Sequence, residues 1–129
     1  MIWGLKIALI VYGAINILFG LAFILVPYQV GSMSGFGEIA DYVAYFMALL
    51  GGTFIAASVW FIVAGRDPLR YISLVKLAIL WSILLVVVGS YSIARGAVDF
   101  GQAGMGIIID GVFAVAFLAL YPYRAARGG

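Results

Sequence analysis

The stretch from Tyr42 to Ala64, YVAYFMALLGGTFIAASVWFIVA, runs for 23 residues without a single charge. About 20 predominantly apolar residues in helical form are enough to span the hydrocarbon core of a bilayer. A strand of that length is foreign to ordinary sheets, and a helix on a water-facing surface would be polar along one side. This segment is apolar all round, so it reads as a transmembrane helix. Three other segments share its character, at about residues 2–26, 69–94 and 103–121. Lys6, Lys76 and Asp110 are the charges inside these three, apart from Arg70 near the start of the third. Ile7 to Val26 is also longer than the core of a secretion signal, which predicts an uncleaved first helix.

Composition extends this reading to the whole chain. Of 129 residues, 67% are hydrophobic and 9% are charged, and the mean hydropathy is +1.24. A soluble domain carries roughly 25% charged residues to wet its surface. Here hydrocarbon must take the place of water around most of the molecule. The net charge of +2 comes from basic residues scattered singly near predicted helix ends, a distribution that speaks against a nucleic-acid partner. Cysteine and histidine are both absent. That excludes disulfides, Cys/His zinc sites, iron–sulfur clusters and bis-histidine haem, along with the commonest general base and thiol nucleophile.

Short links imply antiparallel neighbours. The expected fold is therefore all-α: one membrane domain over residues 1–129, a four-helix antiparallel bundle running up-down-up-down. Gly65-Arg66-Asp67-Pro68 reads as a tight turn, with glycine ending the helix before it. Pro27 to Asp41, the longest link, is expected to lie at the membrane interface. Lys6, Arg66, Arg70, Lys76, Arg124 and Arg127 fall on one side of the bundle, and Arg95 falls on the other. The positive-inside rule then places both termini in the cytoplasm, in a cell inner or plasma membrane.

Two features carry functional expectations. Ala44, Ala48, Gly52 and Ala56 recur every four residues, a small-residue stripe along which another helix backbone can approach closely. Gly13 and Gly20, and likewise Gly104 and Gly111, repeat at seven. Packing inside the monomer is the first use expected of these faces, and packing against a partner the second. The other feature is Asp110. Counted from Ala103, it lies about 10 Å into its helix, a depth at which a carboxylate must be paired, protonated or near water. Antiparallel register nominates Tyr91 and Arg95 as its neighbours, with Asn16 at similar depth. These four residues are the candidate ligand site, and a structural tie is the simpler alternative. Ser82, Thr53 and Ser58 are expected to bond between helices or back to their own carbonyls. No nucleophile–base pair, phosphate loop or carboxylate dyad is present, and the acids Glu38, Asp41 and Asp99 come from different loops.

Val26-Pro27 opening a long first link, Gly65-Arg66-Asp67-Pro68, Lys76 and Trp81 in the third helix, and Ile109-Asp110-Gly111 together resemble the small DoxX-like membrane proteins. The likeness covers most of the chain. It implies a four-helix membrane bundle, in a group of which some members are thought to serve quinone-linked oxidoreductases as subunits; no catalytic residue carries over. The small multidrug transporters have the same size, but where they place a coupling glutamate the first helix here offers Asn16. The expected function is a non-enzymatic accessory or scaffold subunit among membrane lipids, docked on a larger membrane protein or on copies of itself. A membrane-embedded binder of a quinone, lipid or other apolar molecule, and a small proton-coupled transporter resting on Asp110, are the alternatives. No cofactor held covalently or through His/Cys is expected.

Overall fold

The computed structural model describes residues 2–122. Tyr123, Arg124 and Arg127 lie outside the described residues. The chain forms five helices, α1 (Ile2–Leu25), α2 (Pro27–Met33), α3 (Asp41–Arg66), α4 (Ile72–Ala94) and α5 (Phe100–Leu120). Four of them, α1, α3, α4 and α5, are long and apolar enough to cross a membrane.

The boundaries move from the sequence expectation for local reasons. Pro27 does not simply end the first helix. The residue before a proline avoids helical backbone, and Val26 breaks α1 at φ −136°, while Pro27 occupies the first turn of α2, where its missing N–H costs nothing. The expected interfacial link thus contains a helix of its own. The third long helix starts at Ile72, because Pro68 to Tyr71 form turns in which Tyr71 N–H donates to the Asp67 carbonyl at 3.1 Å. The fourth begins three residues earlier than expected. Asp99 accepts from Gln102 N–H at 2.8 Å and the Gln102 side chain accepts from Asp99 N–H at 3.0 Å, a reciprocal cap. Helices α2 and α4 both end on glycines at positive φ, Gly35 at 88° and Gly96 at 79°. After Gly96, Ala97 N–H reaches back to the Ser92 carbonyl at 3.0 Å, a Schellman closure.

Large apolar residues cover the outside of the bundle as well as filling its core. Asn16, Ser58, Ser82 and Asp110 are buried, while Leu18 and Val115 are exposed by 67% and 68%. The tightest core comprises Leu5, Leu9, Tyr12, Phe61, Ala64, Val75, Ala78 and Phe117. It lies toward the end of the bundle that holds Lys6 and the α3–α4 turn.

The closest helix contact is between α1 and α3. A Cβ on Gly20 would stand 2.6 Å from the Gly51 carbonyl oxygen, and one on Gly51 would stand 2.5 Å from that of Gly20. Further along, Gly13 meets Ser58 and Ile62, and Gly65 meets Lys6 and Ile10, so positions rising along α1 meet positions falling along α3. Gly65 is therefore helical and buried under α1, not the residue that ends α3. The seam uses Gly51, Ser58 and Gly65 in place of the expected stripe. Ala44 is buried and Ala48 half-buried, but Gly52 and Ala56 are exposed, and a Cβ on Gly52 would meet nothing within 4 Å. Helical geometry explains the difference. Each step of four residues advances about 40° around the axis, so the stripe winds off the interface, whereas a step of seven drifts back by about 20°.

Gly104 is buried under Phe100 of its own helix, and Gly111 makes only ordinary contact with Val86. The α4–α5 pair is joined instead at Gly89, which receives Ile107. Helices α3 and α4 touch more sparingly, with Trp81 edge-on to Phe54 and Phe61 at ring-centroid distances of 5.9 and 6.0 Å.

Adjacent glycines should therefore respond in opposite ways to the same change. Gly51→Ala drives a methyl into the α1 backbone and should destabilise by about 1–3 kcal/mol. Gly52→Ala should be neutral or stabilise by up to about 1 kcal/mol through helix propensity. Unfolding of both variants in mixed micelles measures the difference; equal responses would place the seam elsewhere.

Candidate functional site

Asp110 is the one buried acid among the described residues, 9% exposed. It sits ten residues from Phe100 and ten from Leu120, at the midpoint of α5. That is about 15 Å from either end, deeper than a count from Ala103 suggests, because the Asp99–Gln102 cap lengthens the helix. The cost of holding a carboxyl group at such depth, several kcal/mol if it is unpaired, must be met inside the bundle.

Tyr12 meets it. The Tyr12 hydroxyl donates to Asp110 Oδ1 at 2.5 Å, across the α1–α5 contact. The ring of Tyr12 is fully buried and packs against Phe61, Phe113 and Phe117, with centroids 5.7, 4.8 and 5.3 Å away. Three aromatic neighbours on two helices hold the ring in place, so the hydroxyl is aimed rather than free to search. One turn along α1, Asn16 is 5% exposed and donates from Nδ2 to the Tyr12 carbonyl at 2.8 Å. The bond satisfies an Asn16 donor within its own helix.

The other two members of the candidate set are elsewhere. Val86, not Tyr91, is the α4 residue that faces Gly111 beside Asp110. Tyr91 is 61% exposed, and the Arg95 guanidinium lies over its ring at 5.4 Å from the centroid. That stack marks the end of α4. The structure thus brings Asp110 and Asn16 to one region and separates Tyr91 and Arg95 from it. Sequence reasoning missed Tyr12, although a signal existed. Tyr12 is ten residues past Ile2 while Asp110 is ten residues before Leu120, so antiparallel first and last helices put the two at one depth.

The remaining polar groups are mostly spoken for. Ser82 and Thr53 donate to carbonyls of their own helices, Ile79 at 3.0 Å and Leu49 at 3.0 Å. Ser58 Oγ and Trp81 Nε1 are buried without a hydrogen-bond partner among the described residues. Of the loop acids, Asp99 caps α5 and Asp41 accepts from the Tyr28 hydroxyl at 2.6 Å. Gln102 also donates to the Gly35 carbonyl at 3.1 Å, linking the start of α5 to the end of α2. Tyr28 lies outside the membrane-spanning segments, and its bond to Asp41 raises the pKa of its phenol above the ordinary 10.0.

No family model, no curated protein and no solved structure matches this chain.

Two measurements test this geometry. Tyr12→Phe keeps the ring but strips Asp110 of its donor, and should cost about 1–3 kcal/mol of stability. Adding Asp110→Leu should recover most of that loss, because removing both partners of a buried bond is far milder than removing one. A double variant as unstable as the sum of the two singles would refute the coupling. Outside the long apolar helices, a raised tyrosine pKa means that the Tyr28–Asp41 bond contributes in full below pH 10 and fades as pH rises through the folded-state value. Absorbance titrations of wild type and Asp41→Ala should differ by one tyrosine, which ionises late in the wild type and moves back toward the ordinary range in the variant.

Proposed function

We propose that this chain is a small integral membrane protein, crossing the bilayer four times in up-down-up-down order with both ends cytoplasmic, that acts as a non-catalytic accessory or scaffold subunit. Its partner is a larger membrane protein or a second copy of itself. The DoxX-like likeness belongs to this proposal. The residues that carry it stand at points of consequence: Val26-Pro27 at the break after α1, Trp81 between Phe54 and Phe61, and Asp110 on Tyr12.

The observation that carries the reading is a division of labour among small residues. Gly20 and Gly51 are consumed by the α1–α3 contact, while Gly52 and Ala56 remain on the outside. In lipid, helices associate mainly through close packing and hydrogen bonds, and small residues permit the approach. An outward glycine next to an inward one leaves a flat place where a further helix can seat. Meanwhile Asp110 and Asn16 are engaged within the chain, which weighs against a ligand site built on them.

A proton-coupled or small-molecule-binding role remains the second reading. It is favoured by one observation, a carboxyl group held at mid-span.

Gly52→Leu separates these ideas. The change enlarges a face that touches nothing within the monomer, so the melting transition should stay within about 0.5 kcal/mol of wild type. The particle sized in mild detergent should nevertheless lose its partner or its second copy. A wild-type chain that migrates as a lone monomer would sink the scaffold proposal.

A further inference from the structure

Lys76 on α4 lines a groove between α4 and α5, together with Ile79, Leu80, Ile83, Leu118 and Tyr121. The groove has a volume of about 270 Å³. Positions 76, 79, 80 and 83 recur at helical spacing and so share one side of α4. Lys76 is four residues from the start of α4 at Ile72, and Ile83 is seven residues deeper, or about 10 Å further along the axis. Lys76 therefore stands at one end of a groove whose apolar floor continues along α4 toward mid-helix.

We propose that this groove is a binding site for an anionic phospholipid, with its phosphate at Lys76 and one acyl chain along Leu80, Ile83 and Leu118. The inference rests on the four-span membrane reading. Charge complementarity chooses the headgroup. Gly65 packs against Lys6, so the N-terminal turn of α1 shares an end of the bundle with the α3–α4 turn. Lys6, Arg66, Arg70 and Lys76 gather there, opposed by Asp67. Lys6 lies over the Trp3 ring and Arg70 over that of Tyr71, whereas Lys76 lines the groove. Basic residues next to a bilayer attract anionic lipid with an energy of about 1 kcal/mol each. A lysine stem that lies along apolar surface can carry its ammonium group up to the headgroup level by snorkelling. Shape chooses the tail. The lining residues from Lys76 to Ile83 run about 10 Å along α4, a trough that takes a stretch of one extended chain.

The test is native mass spectrometry of the detergent-purified full chain, titrated separately with dioleoyl phosphatidylglycerol and dioleoyl phosphatidylcholine. One phosphatidylglycerol should bind more tightly than phosphatidylcholine. Lys76→Gln should weaken phosphatidylglycerol about five-fold, the equivalent of one surface cation, and leave phosphatidylcholine unchanged. Lys76→Arg should retain the preference. Leu80→Trp, at a position 54% exposed and so safe for folding, should obstruct the floor and weaken both lipids. Equal affinity for the two lipids, or indifference to Lys76→Gln, overturns the headgroup assignment. Indifference to Leu80→Trp overturns the acyl slot. A chain that enters liposomes yet fails these tests lacks the site; a chain recovered without detergent would instead topple the membrane reading beneath it.

Discussion

Tyr12 answers two demands that pull against each other. Mid-membrane, a side chain should be apolar, since neither lipid nor a leucine core offers a hydrogen-bond partner. Asp110 needs one at that depth. A phenol supplies both, with a ring that joins Phe61, Phe113 and Phe117 in an aromatic cluster and a hydroxyl that reaches Asp110 across the α1–α5 contact. The first and last membrane helices are thereby tied at one depth. A slip by one residue along either would swing the hydroxyl about 100° around its helix and leave a buried acid unsatisfied. This is a register device of the kind that a purely apolar interface lacks.

The rest of the bundle is held by shape. Along α1 and α3, the absence of side chains at Gly20 and Gly51 lets carbonyl oxygens stand where a methyl would otherwise be, and every ångström of approach adds dispersion contacts. The α4–α5 pair packs by placing Ile107 onto Gly89. Between the two pairs, α3 and α4 meet through Trp81 and two phenylalanines. The molecule is thus two close helix pairs joined by an aromatic contact on one side and by the Tyr12–Asp110 bond on the other. Its grooves open outward, and Asn16, Ser58, Ser82 and Asp110 face inward.

Loop chemistry sets where each helix begins, and so how deep its residues lie. The Asp99–Gln102 cap extends α5 by about a turn beyond the expected start at Ala103, which moves Asp110 to the midpoint of the helix. Gln102 also reaches the Gly35 carbonyl, and Tyr28 reaches Asp41. Short α2 is fastened at both of its ends by these bonds and by its proline start, and is thereby laid against the bundle.

The four apolar spans, the α class and the need of Asp110 for a partner were legible from the sequence, because length and hydropathy act locally and are indifferent to what packs on what. The glycine pairs at seven-residue spacing on α1 were legible for the same reason: a repeat close to the helical period stays on one face. The partner of Asp110 was not, nor was the fate of Gly52, whose exposure depends on a rotation of about 100° relative to Gly51. Azimuth and axial offset are collective outcomes of packing, and no single segment encodes them. Length and apolar composition marked these segments as helices; only their mutual fit decided which neighbour each side chain would meet.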